Sequence, residues 1–288
     1  MDVALGLMAA LFWGGTDFLV GVNARAVGVK RAVYFGQGLG FLIMCVLLLC
    51  YPAFIRGSLL VPWPVWWLGV LASLFTVSGA LALSKAFALG KASIVAPLVT
   101  SYGVFTTLLS WGSGERISSV QLLLIGVCVL GVVLSSLSRA EDGNVKRHNG
   151  RAVVYALMAA LLYGSSFWVQ GRYTLPALGP VIMLWLGYLV GLIVLSTMVF
   201  QIKEGMKLPP ARAGMTLIAA SLLNLGGFSA FSYGAMMGSV SVVTIISTLS
   251  GGIAAVLGYL FFKERLSGLQ VSGVTLVLIA AFALHLCG

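Results

Sequence analysis

Charge is scarce in this chain. Asp, Glu, Lys and Arg make up only 8% of its 288 residues, where a soluble domain carries about 25%. With 60% hydrophobic residues and a mean hydropathy of +1.08, no water-exposed globule of this size could hide its apolar surface. Lipid must be the solvent, and length alone, which would allow two soluble domains, is overridden. Only 4 cysteines are present, Cys45, Cys50, Cys128 and Cys287, and they form neither a CxxC nor a Cys/His cluster. Zinc and redox motifs are therefore absent, and the cysteines read as small packing residues. A Walker motif is also missing, so ATP does not drive the protein directly. Paired acids, a His cluster and a Ser/His or Ser/Lys dyad at matching depths are missing too, which argues against an intramembrane enzyme. No cofactor is implied.

What charge there is leans positive: 17 Lys and Arg against 7 Asp and Glu, a net +10. The cations do not form a basic stripe with interleaved aromatics, so nucleic acid is not the partner. They lie in short connectors between apolar runs, as the positive-inside rule describes. The N-terminus lacks a cationic stretch before its first apolar run. Residues 3–22 are long enough to cross a membrane and read as a first helix, not a cleaved signal peptide.

A helix needs about 20 apolar residues to cross a hydrocarbon core of about 30 Å. On that measure the sequence predicts ten spans: 3–22, 32–51, 65–87, 93–111, 119–137, 152–170, 180–200, 214–233, 240–262 and 268–287. The eighth connector is the weakest, with only Gly238 and Ser239 to break it. The most polar connector, 139–151, falls at mid-chain.

That connector divides a repeat. Met8-Ala-Ala-Leu-Phe-Trp-Gly14 matches Met158-Ala-Ala-Leu-Leu-Tyr-Gly164 at an offset of 150. Gly36 and Gly40 match Gly187 and Gly191 at 151, and Gly90-Lys-Ala-Ser93 matches Gly238-Ser-Val-Ser241 at 148. Gly114-Glu-Arg-Ile-Ser118 matches Lys263-Glu-Arg-Leu-Ser267 at 149, which pairs Thr100 and Ser101 with Leu249 and Ser250. Several anchors in one order define a first five-helix repeat over 1–138, a polar linker over 139–150 and a second repeat over 151–288. An odd number of spans per repeat inverts the second repeat in the membrane, an arrangement that places a solute site near the midplane between the halves. The expected fold is thus an all-α membrane protein of ten helices, two inverted five-helix repeats around a central cavity. Glycines at i and i+4 are expected to serve close helix packing.

Loop charge gives an orientation. Connectors 1–2, 3–4, 5–6, 7–8 and 9–10 hold 14 Lys and Arg, and those on the opposite face hold 3. Both termini are then expected outside the cytoplasm.

Several residues could contact a solute. Asp17, inside the first span, suits an ammonium group or a proton, or a salt bridge to Arg25. Lys85 could take a solute carboxylate or reach back to the headgroups. Glu115 and Glu264 recur in both halves and fit pairing with Arg116 and Arg265, and His285 fits an interfacial role. Trp13, Tyr163 and Trp168 lie on repeat-related first helices, Tyr102 on the fourth and Tyr233 at the end of the eighth. They could line a cavity for flat or cationic solutes, or pack the core. Trp63, Trp66 and Trp67 read as an interfacial belt. Pro97 frees a backbone carbonyl in the fourth helix, near Thr100 and Ser101, and Ser250 stands at the related place in the ninth.

Phe12-Trp13-Gly14, the stretch from Ala86 to Leu98, and the Gly-Glu-Arg-Ile-Ser motif with its Lys-Glu-Arg-Leu-Ser mate resemble the EamA branch of the drug/metabolite transporter superfamily along the whole chain. Within that branch the chain is similar to YddG-type exporters of aromatic amino acids. The resemblance implies a ten-helix basket lined by the first, third, fourth, sixth, eighth and ninth helices. It implies a bacterial-type inner membrane and export of small metabolites by alternating access, amino acids first. Efflux of lipophilic or cationic drugs is the alternative. Where relatives often have Asn after the Trp-Gly pair, this chain has Gly15-Thr16-Asp17. The resemblance implies cytoplasmic termini, whereas the loop charge of this chain places both termini outside the cytoplasm. The expected partners are a small solute and lipid, with the chain working as a monomer.

Overall fold

The structure, a computed structural model, describes residues 2–114, 118–136, 143–200, 208–237, 243, 246–262 and 267–286. All regular structure among them is helical. The helices are α1 (Asp2–Val27), α2 (Val29–Cys50), α3 (Ala53–Ser58), α4 (Trp63–Leu89), α5 (Ala92–Val99), α6 (Tyr102–Gly112), α7 (Ser119–Ser136), α8 (Gly143–Val169), α9 (Leu175–Val199), α10 (Ala211–Met237), α11 (Ser250–Phe262) and α12 (Gly268–Leu286). Glu115, Arg116, Ser241, Glu264 and Arg265 lie outside the described residues.

Six described stretches are long and apolar enough to cross a membrane, against the ten spans predicted. One of them, Gly150–Val199, has 50 residues, far more than the roughly 20 that one crossing needs. A π-helical turn, Gln170–Thr174, joins α8 to α9 without a loop, and Gly179 with φ 74° then redirects the chain. Ser250–Phe262 and Val271–Ala280 are apolar but shorter. The ends also differ from the sequence reading. α1 continues past Arg25, and a single residue, Gly28 at φ 86°, turns the chain into α2. A left-handed backbone of this kind favours glycine. Residues 143–150, expected in the linker, are the first turns of α8. The outer surface carries Leu42, Leu49, Met215 and Phe261 largely exposed, as a chain solvated by lipid requires. Trp63 and Trp67 stand together at the start of α4, rings 5.8 Å apart and exposed, at a position suited to an interfacial belt.

The halves interlock through reciprocal contacts. α1 of the first half packs along α10 of the second, and α8 packs along α4 in the same way. A Cβ on Gly227 of α10 would strike the Trp13 ring, and one on Gly79 of α4 would come 3.2 Å from the Tyr163 ring. Trp13 and Tyr163 are repeat mates at 150, and Gly79 and Gly227 are mates at 148. A Cβ on Gly14 would lie 2.6 Å from Ile253 Cβ and 3.1 Å from the Ser250 carbonyl oxygen. A Cβ on its mate, Gly164, would lie 2.7 Å from Phe105 Cβ and from the Tyr102 carbonyl oxygen. Close approach is what these repeated glycines provide; of the pairs at i and i+4, Gly40 lies as close against the Tyr188 ring and Gly191 against Gln37, whereas Gly36 and Gly187 have room for a Cβ.

These pairs correct the register read from the sequence. Tyr102, not Ser101, is the counterpart of Ser250, and Thr100 is the counterpart of Thr248. Gly251 lies against the Thr100 methyl and Gly103 against the Thr248 methyl. The 149 offset belongs to the turn motif after the helix, whereas the helix keeps the 148 of its own start. At this crossing the fourth helix is broken between α5 and α6. Pro97 has no N–H to donate, Thr100 Oγ1 donates to the Pro97 carbonyl at 2.6 Å, and Ser101 Oγ donates to that of Leu98 at 2.7 Å.

Candidate functional site

A cavity opens between the halves, with about 980 Å3 of empty space including the part open to the outside. Helical periodicity explains its walls. Trp13, Thr16, Asp17, Val20 and Asn23 form one stripe of α1, spaced three or four apart. Leu217, Ala220, Ser221, Asn224 and Phe228 form the facing stripe of α10, and Thr76, Ala80, Leu83 and Ser84 that of α4. Ala32, Val33, Gly36 and Gln37 of α2, Val99 of α5, Tyr102 of α6, Tyr163 and Phe167 of α8, and Ser250 of α11 complete it.

Aromatic rings close one end. Phe167 is the hub, with ring centroids 5.7 Å from Trp13, 5.2 Å from Tyr102, 6.1 Å from Tyr163 and 4.7 Å from Phe231. Phe228 stands edge-on to Trp13 at 5.1 Å. The Tyr102 hydroxyl and Ser247 Oγ are hydrogen-bonded at 2.8 Å, tying α6 to the segment before α11. Above this floor the walls turn polar. Asp17 is 92% buried, its relative exposure being 8%, and no described side chain gives its carboxylate a hydrogen bond or an ion pair. Gln37 and Asn224 add amides, and Thr16, Thr76, Ser84, Ser221 and Ser250 add hydroxyls. Lys, Arg and His are absent from the described lining. At the other end Thr216 Oγ1 donates to Asn23 Oδ1 at 2.6 Å and Asn23 Nδ2 donates to the Thr216 carbonyl at 3.2 Å, a clasp between α1 and α10.

The lining leads away from the floor toward the C-terminal ends of α1 and α4 and the N-terminal ends of α2 and α10. Arg25, Lys30, Arg31, Lys85, Lys91 and Arg212 all belong to that end, and Gly90 against Ala152 brings Arg151 there as well. Arg56 and Arg172 lie toward the opposite end. The cavity therefore opens toward the cation-rich end.

Of the residues singled out in the sequence, Trp13, Asp17, Tyr102, Tyr163 and Ser250 line the cavity. Asp17 and Arg25 do not pair. Arg25 donates to the carbonyls of Phe87 and Gly90 and stands over the Phe262 ring. Lys85 is exposed on the far side of α4 and faces a separate depression. Pro97 and Ser101 are at the helix crossing, outside the lining. Trp168 points away and packs edge-on to Tyr173 at 5.7 Å, and Tyr233 is 41% exposed. Phe167, Asn23, Gln37 and Asn224 were not singled out. The signal for Phe167 was present: at an offset of 150 it is the repeat mate of Asp17, so one repeat position supplies a carboxylate from one half and the aromatic hub from the other. Gln37 also adds the second helix to the six that the resemblance implied.

Apolar helices of membrane-crossing length, two repeats and a cavity between them define a multi-pass membrane protein. The chain belongs to the EamA-like transporter family, of the drug/metabolite transporter superfamily, whose model matches residues 2–137 and 150–286. It is thus a member of a membrane transporter family. A solved crystal structure superposes with a TM-score of 0.68, covering 99% of this chain and 96% of its own, at 16% sequence identity. That likeness concerns the fold alone. No curated protein matches the chain.

Proposed function

We propose that the chain exports small metabolites across a bacterial-type inner membrane by alternating access, with aromatic amino acids first among its solutes. The observation that carries this reading is the cavity, which both halves build and whose floor is aromatic and whose wall holds one carboxylate. Flat rings stack on Trp13, Tyr163 and Phe167, and an ammonium group meets Asp17. Ten crossings, five to each half, would invert the second half against the first, so that rocking the halves exposes the cavity to each face in turn. The charge rule assigns the open, cation-rich end to the cytoplasm and both termini to the other side. One chain supplies the whole cavity, which suits a monomer.

A second reading is favoured by one observation. The described lining has a carboxylate and no Lys or Arg to meet a solute carboxylate. Lipophilic cations fit that balance better than zwitterions do. Purified protein in liposomes, given labelled aromatic amino acids and a panel of aromatic amines and quaternary cations, separates the two. Uptake of aromatic amino acids above that of empty liposomes is expected. Uptake of cations alone selects the second reading, and no uptake of either class defeats both.

A further inference from the structure

A second depression lies at the cation-rich end, behind the cavity wall. It has about 1490 Å3 of empty space including its open side. Lys30 and Arg31 reach it from the start of α2 and Lys85 from the end of α4. No acidic side chain among the described residues lines it, and neither Lys30 nor Lys85 has a hydrogen-bond or ion-pair partner among them. Its remaining wall is mostly apolar, including Val27, Leu81 and Met198.

We infer that this depression holds the headgroup of an anionic phospholipid. Three observations point to lipid and not to a soluble anion. The cations stand at helix ends, where the chain leaves the apolar layer and meets the headgroups. The wall beside them is apolar, and Val29, Leu81 and Met198 in it are half-exposed, which a glycerol backbone and the first methylenes can cover but inorganic phosphate cannot. The charge is also confined to one half. At the repeat offsets of 151 and 148 the equivalents of Lys30, Arg31 and Lys85 are Val181, Ile182 and Tyr233. A feature present at one membrane face and erased at its repeat mate is built for that face, not for the fold.

The position also links the site to the cavity mouth. Neighbouring residues line the two spaces: Ser84 lines the cavity and Lys85 the depression, while Ala32 lines the cavity and Arg31 the depression. A headgroup bridging Lys30 and Lys85 braces α2 against α4, two walls of the mouth. Transport should then run faster in anionic than in zwitterionic bilayers.

The test measures retention of phosphatidylglycerol and of phosphatidylcholine by the purified full chain in detergent, by native mass spectrometry. A parallel arm measures thermal stabilisation by each lipid and by inorganic phosphate. The anionic lipid alone should be retained. Its affinity should fall about fivefold for each lysine removed, and about thirtyfold in K30Q/K85Q. K30R/K85R should keep it, as should R56Q at the opposite end. Equal retention by wild type and K30Q/K85Q overturns the proposal, as does equal retention of the two lipids. Stabilisation by phosphate matching that by phosphatidylglycerol assigns the site to a free anion and overturns the lipid. If K30Q/K85Q elutes as aggregate, retention by the single variants K30Q and K85Q decides on the same criterion.

Discussion

Gly164 offers a quantitative test of how the halves are held together. A Cβ at this position would lie 2.7 Å from Phe105 Cβ, 2.7 Å from the Tyr102 carbonyl oxygen and 3.2 Å from the Thr106 nitrogen. Two of these three atoms are backbone, so no side chain can rotate out of the way. α8 and α6 must separate by several tenths of an ångström, and overpacking of this kind costs about 1–3 kcal/mol. Replacing glycine by alanine inside a helix returns about 1 kcal/mol of backbone entropy. Gly164→Ala should therefore lose up to about 2 kcal/mol net. Gly14→Ala should lose a similar amount, because the added methyl would lie 2.6 Å from Ile253 Cβ, which the backbone holds in place, and 3.1 Å from the Ser250 carbonyl oxygen. Gly126 is the control: an added Cβ meets nothing within 4 Å, so Gly126→Ala should be neutral or slightly stabilising. Thermal unfolding of the three variants in detergent, followed by size-exclusion chromatography, reads the order directly. If Gly164→Ala unfolds at or above the temperature of Gly126→Ala, the close crossing of α8 and α6 is not what holds these helices.

Two further outcomes are expected. Asp17→Asn replaces a buried carboxyl group that has no side-chain partner among the described residues with a neutral amide of the same shape, so thermal stability should hold or rise while transport of ammonium-bearing solutes falls at least about tenfold. Unchanged transport removes Asp17 from the solute site, and a parallel loss of stability makes its role structural. A reporter fused to the C-terminus should be active only outside the cytoplasm, and cytoplasmic activity refutes the orientation drawn from the loop cations.

The legible part of the site was the part marked by chemical scarcity. Asp17 stands out because a carboxylate within a span is costly, and Trp13 and Tyr163 stand out as aromatic repeat mates. Asn23, Gln37 and Asn224 gave no comparable signal, since amides at helix positions read equally as packing. Lys85 stands out in the sequence by its charge, yet its neighbour Ser84 is the one turned into the cavity. One residue is about 100° of helix rotation, and hydropathy holds little rotational information when nearly every face of a helix is apolar. The same limit explains Ser101 and Tyr102, where a one-residue difference in repeat register separates a side chain at the crossing from one on the cavity floor.

The sequence by itself determined the solvent, the repeat and the supply of charge. Each of these depends on composition or on order along the chain, and neither needs a neighbour in space. The tertiary structure decided which stripe of each helix turns inward. In lipid that choice rests on where small residues let backbones meet, as Gly14, Gly79, Gly164 and Gly227 do. Only once those contacts are made does Phe167 become the centre of the aromatic floor, across the cavity from the carboxylate that occupies the same place in the other half.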